Sequence, residues 1–178
     1  MLPGTNTRLR SLERDDLDRC HSWLGDPDVR RYLLMYLPLS RAQEEAWLDS
    51  LRERINSGKE VLFAIETQQG EHIGNIGFHG IDWKNRSAEL GIMIGEKSRW
   101  GQGYGTDAIR TMLRLGFEEM NLHRISLNVD VDNKRAIACY EKCGLRHDGT
   151  IRDAIFKKGR FIDQKLMSIL SSDPNPES

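Results

Sequence analysis

The sequence predicts one mixed α/β domain, and three observations carry the prediction. Short apolar stretches punctuated by turn residues mark strands, longer segments with apolar residues at helical spacing mark helices, and the 178 residues hold neither an internal repeat nor a linker. At roughly 150 residues per domain the length suits a single unit, expected over residues 1–170. Residues 171–178 contain only Ser, Asp, Pro, Asn and Glu and are expected to form a loose tail.

Residues 15–24 and 40–57 read as helices. In the second, Ser40 can cap the chain while Gln43 reaches back to its amide, a capping box. Ala46, Leu48, Leu51 and Ile55 then recur near helical spacing, and Gly58 is the stop. Residues 61–66 end at Gln69-Gly70, 73–79 follow, and 88–95 come after a polar turn at 82–86, which together read as consecutive antiparallel strands. The glycine-rich stretch Trp100-Gly101-Gln102-Gly103-Tyr104-Gly105-Thr106 opens a helix with Ile109, Met112, Leu113, Phe117 and Met120 on its inner side. A strand over 124–130 leads to a helix capped by Asn133 and closed by Gly144. Residues 145–152 and 161–170 complete the set as a hairpin around Lys158-Gly159.

Composition narrows the function classes. With 26 Lys+Arg against 27 Asp+Glu the net charge is −1, which argues against a protein that coats nucleic acid. A content of 38% hydrophobic and 30% charged residues suits a packed core and a wet surface. The apolar runs are far short of the roughly 20 residues that span a bilayer, and Met1 to Asn6 have no basic patch leading into an apolar stretch, so a cytoplasmic protein with no membrane partner is expected. Cys20, Cys139 and Cys143 are odd in number and lack framework spacing, as reduced thiols do. Cys139 and Cys143 share a helix face, yet no Cys-x-x-Cys or His-x-x-x-His supplies further ligands, so no metal is expected.

The glycines at 101, 103 and 105 lie between a strand and a helix. Glycine admits positive φ and close approach of a ligand, and the free N–H groups at a helix N-terminus attract anions. A phosphate or pyrophosphate site follows, with a turn-rich connector as the plainer alternative. No Gly-Lys-Ser/Thr ending makes this a Walker loop, and the last glycine comes one residue early for the dinucleotide fingerprint.

Ala88-Glu89-Leu90-Gly91-Ile92-Met93-Ile94, the Trp100–Thr106 loop, Asn133-Lys134-Arg135-Ala136 and Tyr140-Glu141-Lys142-Cys143-Gly144-Leu145 resemble, in order and spacing, the GNAT acetyltransferases. The similarity is to the branch of ribosomal-protein N-terminal acetyltransferases and spermidine N-acetyltransferases; it runs over residues 9–170 and is densest over 88–149. It departs at Trp100, where the family has Gln or Arg three positions before the Gly-x-Gly, a position that works largely through its backbone amide. The resemblance implies a GNAT-like fold, a mixed and mostly antiparallel central sheet flanked by helices, with acetyl-coenzyme A between two splayed strands. It assigns the pyrophosphate to the loop from Trp100 and Gly101 through Gln102, Gly103, Tyr104 and Gly105 to Thr106. It assigns the pantetheine arm to the backbone of Ile92, Met93 and Ile94 on one side and to Asn133 on the other, with Ala136 and Tyr140 completing the coenzyme site.

The implied chemistry is direct attack of an amine on the thioester. A primary amine with a pKa of about 10.4 is neutral only about one part in 10³–10⁴ at pH 7, a deficit of roughly 4–5 kcal/mol, so a base is useful. Glu89 is the candidate, as proton acceptor or as the carboxylate that captures the ammonium; its structural alternative is an ion pair with Arg86. The leaving thiolate needs an acid, and Tyr140, two helical turns after Asn133, is the candidate. The histidines 21, 72, 79, 123 and 147 show no partner pattern and read as structural or exposed, and Cys139 reads as lying on another helix face than Tyr140. Trp23, Trp47 and Trp83 read as core or as walls of the acceptor pocket.

Residues 9–60 would form the acceptor side. Asp26, Asp28, Glu44, Glu45 and Glu89 could bind amines, without an acidic cluster standing out, so a protein N-terminus, a polyamine and an amino sugar or antibiotic all remain acceptors. An N-acetyltransferase is the leading reading, ahead of a non-catalytic acetyl-coenzyme A sensor and of an assembly protein. A homodimer is possible on family grounds.

Overall fold

The computed structural model describes residues 1–34 and 40–174; residues 35–39 of the expected acceptor side and 175–178 of the expected tail lie outside the described residues. Eight strands form one sheet: β1 (Leu2–Pro3), β2 (Thr7–Ser11), β3 (Val61–Thr67), β4 (His72–Asp82), β5 (Ser87–Ile94), β6 (Arg124–Asp130), β7 (Arg146–Lys157) and β8 (Arg160–Leu170). Their order is β1-β2-β3-β4-β5-β6-β8-β7. Each neighbouring pair is antiparallel except β5 and β6, which are parallel. A parallel pair needs a long crossover, and here the glycine loop and a helix supply it.

The helices are α1 (Leu17–Gly25), α2 (Pro27–Arg30), α3 (Arg41–Asn56), α4 (Tyr104–Arg114) and α5 (Lys134–Lys142). Alternation along β5 divides the core. Leu90, Ile92 and Ile94 join the main cluster with Ile109 and Met112 of α4, while Met93 packs with Cys20, Trp23 and Val29 of α1 and α2. The sheet therefore has α4 and α5 on one face and α1–α3 on the other.

Several elements match the sequence reading closely. Both halves of the Ser40–Gln43 capping box form. Asn133 caps α5 through the Ala136 amide, and the β7–β8 turn is Lys158-Gly159 with positive φ at both residues. Differences have physical causes. The apolar stripe expected along α3 is only partly inside: Leu51 is buried while Ala46 and Ile55 face solvent, and the other buried position of the helix is taken by Glu44, which reaches His21 of α1. The helix expected to run to Met120 widens into a π turn over Leu115–Glu119, where the Met120 amide reaches back to the Leu115 carbonyl. Phe117 and Met120 are left only half-buried. The sequence reading missed β1, β2 and α2, which are too short to show a period. In the expected tail, Ser171 donates its amide to the His123 carbonyl, and Asp173 accepts from the Leu170 amide and pairs with Arg146.

Candidate active site

The parallel strands β5 and β6 pair only at Ser87–Arg124, Ala88–Ile125 and Glu89–Ser126. Beyond that point β5 stays on β4 and β6 stays on β8, so the two strands part like a V. The opening is a cleft of about 880 Å³ lined by residues 90–94 on one side and Asn128, Val129 and Asp130 on the other. The edge that β5 turns toward β6 has no ladder partner there, so an extended chain can pair with it as an added strand. Ile92, Met93 and Ile94 all line this cleft; along the strand the backbone groups alternate, those of Ile92 and Ile94 turning to the freed edge and those of Met93 to β4.

The glycine loop closes one end of the cleft. Gly101 and Gly103 have φ of 75° and 86°, the left-handed region that a side chain disfavours. Gly103 is the N-cap of α4 and offers no side-chain cap, and no described residue accepts a hydrogen bond from the amides of 101–106. Unpaired donors at a helix N-terminus form a site for an anion. Gly101, Gly103, Tyr104, Gly105 and Thr106 line the cleft, with Arg99, Arg135 and Lys142 as nearby cations. Gln102 does not line it; its side chain donates to the Ser98 carbonyl.

Trp100 corrects an expectation. Its backbone amide is spent on the Lys97 carbonyl. What it brings to the cleft is the indole, which donates to the Ile94 carbonyl at 2.7 Å and lies 4.1 Å beneath the Arg135 guanidinium. A helical turn of 97–99 precedes it and consumes the amide.

From α5, Asn133, Ala136, Cys139 and Tyr140 all line the cleft. The Asn133 Oδ1 is occupied by the Ala136 amide, leaving its Nδ2 free to donate. Burial and, after it, the neighbouring Cys139 and Cys143 thiols push the Tyr140 phenol well above its ordinary range. No described residue is a hydrogen-bond partner of its hydroxyl. Cys139 was expected on another face, yet the cleft is wide enough to take both neighbours. A hydrogen bond from Cys143, opposed by burial and aided by the Thr106 hydroxyl at 3.2 Å, lowers the Cys139 thiol to about 6.

Glu89 stands at the apex, on the last residue before the strands part. Its anticipated partner Arg86 instead donates to the Asn121 carbonyl and side chain, each at 2.7 Å. The other candidate carboxylates are engaged: Asp26 and Asp28 with Lys97, Glu44 with His21, Glu45 with Arg41. Glu89 alone of the five has no ion-pair partner among the described residues. The same cleft that Glu89 lines is also lined by Val29, Tyr32, Leu33, Leu34 and Trp47, so Trp47 is a pocket wall as expected. Trp23 is core, and Trp83 is exposed, its indole on the Gly58 carbonyl.

Sequence reasoning missed Asn128, Asp130 and Gln164 on the far wall and His79 on the near one. Asp130 is buried and held by Lys157 at 3.1 Å and Gln164 at 3.0 Å. None of these carries a local signal, since β4, β6 and β8 come together only in the sheet. Among the described residues no group of three or more His, Cys, Asp or Glu could hold a metal, and no helix is long and apolar enough to cross a membrane.

Residues 6–146 match the family model of the acetyltransferase (GNAT) domain. The chain is 33% identical over 170 residues to a spermidine N(1)-acetyltransferase of Vibrio cholerae, covering 92% of each. It is 29% identical to the uncharacterised N-acetyltransferase p20 of Bacillus licheniformis, covering 93% of each. Among solved structures, the spermidine N-acetyltransferase from Vibrio cholerae in complex with CoA and spermine superposes with a TM-score of 0.86 at 30% identity, over 98% of this chain and 99% of that one.

Proposed function

Because the chain belongs to the GNAT acetyltransferase family and is an acetyl-coenzyme A-dependent N-acetyltransferase of amines, we propose that its V-shaped cleft is where the transfer occurs. The observation that carries this is the parting of β5 from β6 beside a loop of unpaired amides. The loop from Gly101 to Thr106 takes the pyrophosphate, with Arg135 and the Trp100 indole beside it. The freed edge of β5 along Ile92 and Ile94, with Met93 between them, takes the pantetheine arm, and Asn133 Nδ2 and Ala136 meet it from α5. The thioester then lies between Glu89 and Tyr140, which puts both reacting groups in reach of a proton partner.

Glu89 draws the ammonium to the apex of the V. Tyr140, kept protonated by its burial, gives its proton to the departing thiolate. No acyl-enzyme is needed.

The acceptor is a primary amine. A polyamine is favoured by the spermidine N-acetyltransferases among the relatives. A second reading, an amine with one cationic end and an apolar body, is favoured by a cleft that is lined both by Val29, Tyr32, Leu33, Leu34 and Trp47 and by the unpaired Glu89 carboxylate. A peptide N-terminus falls within it. The unbridged thiols of Cys20, Cys139 and Cys143 support a cytoplasmic location, and a homodimer is an arrangement to test by light scattering.

Thiol release from acetyl-coenzyme A decides among these, with spermidine, phenethylamine, glucosamine and peptides beginning in Ala or Ser as acceptors. Glu89→Gln is expected to raise the acceptor KM at least fivefold and to leave the acetyl-coenzyme A KM within twofold. An unchanged acceptor KM removes Glu89 from the acceptor site.

A further inference from the structure

We propose that His79, oriented by Glu60, accepts the proton of the attacking amine, so that Glu89 gathers the ammonium and His79 deprotonates it. The proposal rests on the transferase reading above and names a residue that reading does not use.

Three observations converge on this imidazole. His79 lines the cleft, and on β4 it is the cross-strand partner of Glu89 on β5. Directly paired residues in an antiparallel ladder place their side chains on one face about 4.5–5.5 Å apart at Cβ. Second, the ring is held. Its Nδ1 lies 2.8 Å from Glu60 Oε1, and Glu60 is buried with its other oxygen taking the Arg54 Nε–H at 2.6 Å. A carboxylate on Nδ1 fixes the tautomer with the proton there, leaving Nε2 as the lone pair that accepts. Third, that Nε2 points where the chemistry lies. A methyl group added at Gly91 would stand 2.9 Å from it, so the ring tip reaches over Gly91, the second residue past the point where β5 and β6 part. Glycine at 91 is what leaves room for the ring.

The charged groups facing His79 are Glu60 before β3, with Arg54 of α3 behind it, and Glu89 on β5. Glu60 sits on the Nδ1 side of the ring, and Glu89 is its cross-strand neighbour. The ammonium gives one proton to Nε2, and the freed lone pair forms the C–N bond to the thioester carbon. The C–S bond breaks, and the thiolate takes the Tyr140 proton. The second nitrogen proton leaves the adduct and restores Tyr140 through solvent, while the imidazolium returns its own proton to water. One proton is released per turnover, as conversion of an ammonium to an amide requires. Glu60 is a positioning residue in this scheme: it touches His79 and not the amine.

The test measures thiol release between pH 5.5 and 9, using the fastest acceptor among spermidine, phenethylamine and an Ala-terminated peptide, for the wild type, His79→Gln, Glu60→Gln and Gly91→Ala. General bases contribute about 10²–10⁴-fold, so His79→Gln is expected to lose at least tenfold in kcat and the acid limb of the kcat/KM profile, with the acetyl-coenzyme A KM within twofold. Glu60→Gln shifts that limb. Gly91→Ala displaces the ring tip and lowers kcat with His79 still present. A thermal shift by acetyl-coenzyme A in each variant shows that it is folded. Wild-type turnover with an unaltered profile in His79→Gln overturns the dyad and leaves the transferase reading standing. Silence of the wild type on all three acceptors overturns the reading beneath it, and the dyad with it.

Discussion

Tyr140 and Cys139 are adjacent in sequence, line the same cleft and are pushed in opposite directions. Burial, then the neighbouring thiols, raises the Tyr140 phenol, so it remains a proton donor throughout the working pH range. Tyr140→Phe is expected to lower kcat at least tenfold with acetyl-coenzyme A binding nearly intact; equal rates at saturation would assign the acid role elsewhere. For Cys139 the hydrogen bond from Cys143 outweighs burial and brings the thiol to about 6, which makes it largely thiolate at pH 7.5. Iodoacetamide is therefore expected to alkylate Cys139 ahead of the buried Cys20 and Cys143. Saturating acetyl-coenzyme A should slow that reaction at least fivefold, because Cys139 lines the cleft; peptide mass mapping reads both outcomes.

The element that organises the site is α4, and its first turn is held from outside by the N-terminal segment. The Asp107 carboxylate accepts the amides of Thr5, Asn6 and Thr7 and the Thr7 hydroxyl at 2.6–2.9 Å, well placed for a negative charge near a helix N-terminus. Burial alone would raise this carboxyl; the Thr7 hydroxyl and the three amides outweigh it and hold it below the usual carboxylate value. A carboxyl lowered in the folded state adds stability that is full above its unfolded pKa of about 3.9 and is lost as pH falls through the folded value. Asp107→Asn should accordingly melt below the wild type at pH 7, and the gap should narrow toward pH 3. A gap independent of pH would mean that shape, not charge, holds the segment.

At the scale of the molecule the sheet is two halves joined by three residue pairs of β5 and β6. A ligand that pairs with β5 and touches α5 bridges those halves, so binding energy becomes stability of the whole fold. At a hundred times its Kd, acetyl-coenzyme A adds about 2.7 kcal/mol, which for a chain of this size is roughly 5–10 °C in Tm. Hydrogen exchange should slow along residues 90–94 and in the loop amides of 101–106, and a melting point unmoved by the coenzyme would place its site elsewhere.

Periodicity and punctuation determined most of the elements. Caps at Ser40 and Asn133, the stops at Gly58 and Gly144, and the Lys158-Gly159 turn act within a few residues, so they are legible in the chain and recur in the fold. The glycine loop, Asn133 and Tyr140 were legible for the same reason, since a helix N-terminus and a seven-residue spacing are local. Tertiary structure alone decided that Arg86 turns to Asn121 and leaves Glu89 unpaired, and that Trp100 offers its indole after its amide is consumed. It also decided that a histidine without local pattern stands between Glu60 and Glu89. The Arg86 and His79 outcomes depend on hydrogen bonds between residues 35 and 19 positions apart, and the Trp100 outcome on how the chain turns the two N–H groups of that residue to the Lys97 and Ile94 carbonyls. A single sequence carries no local trace of such choices, because packing and strand register settle them together.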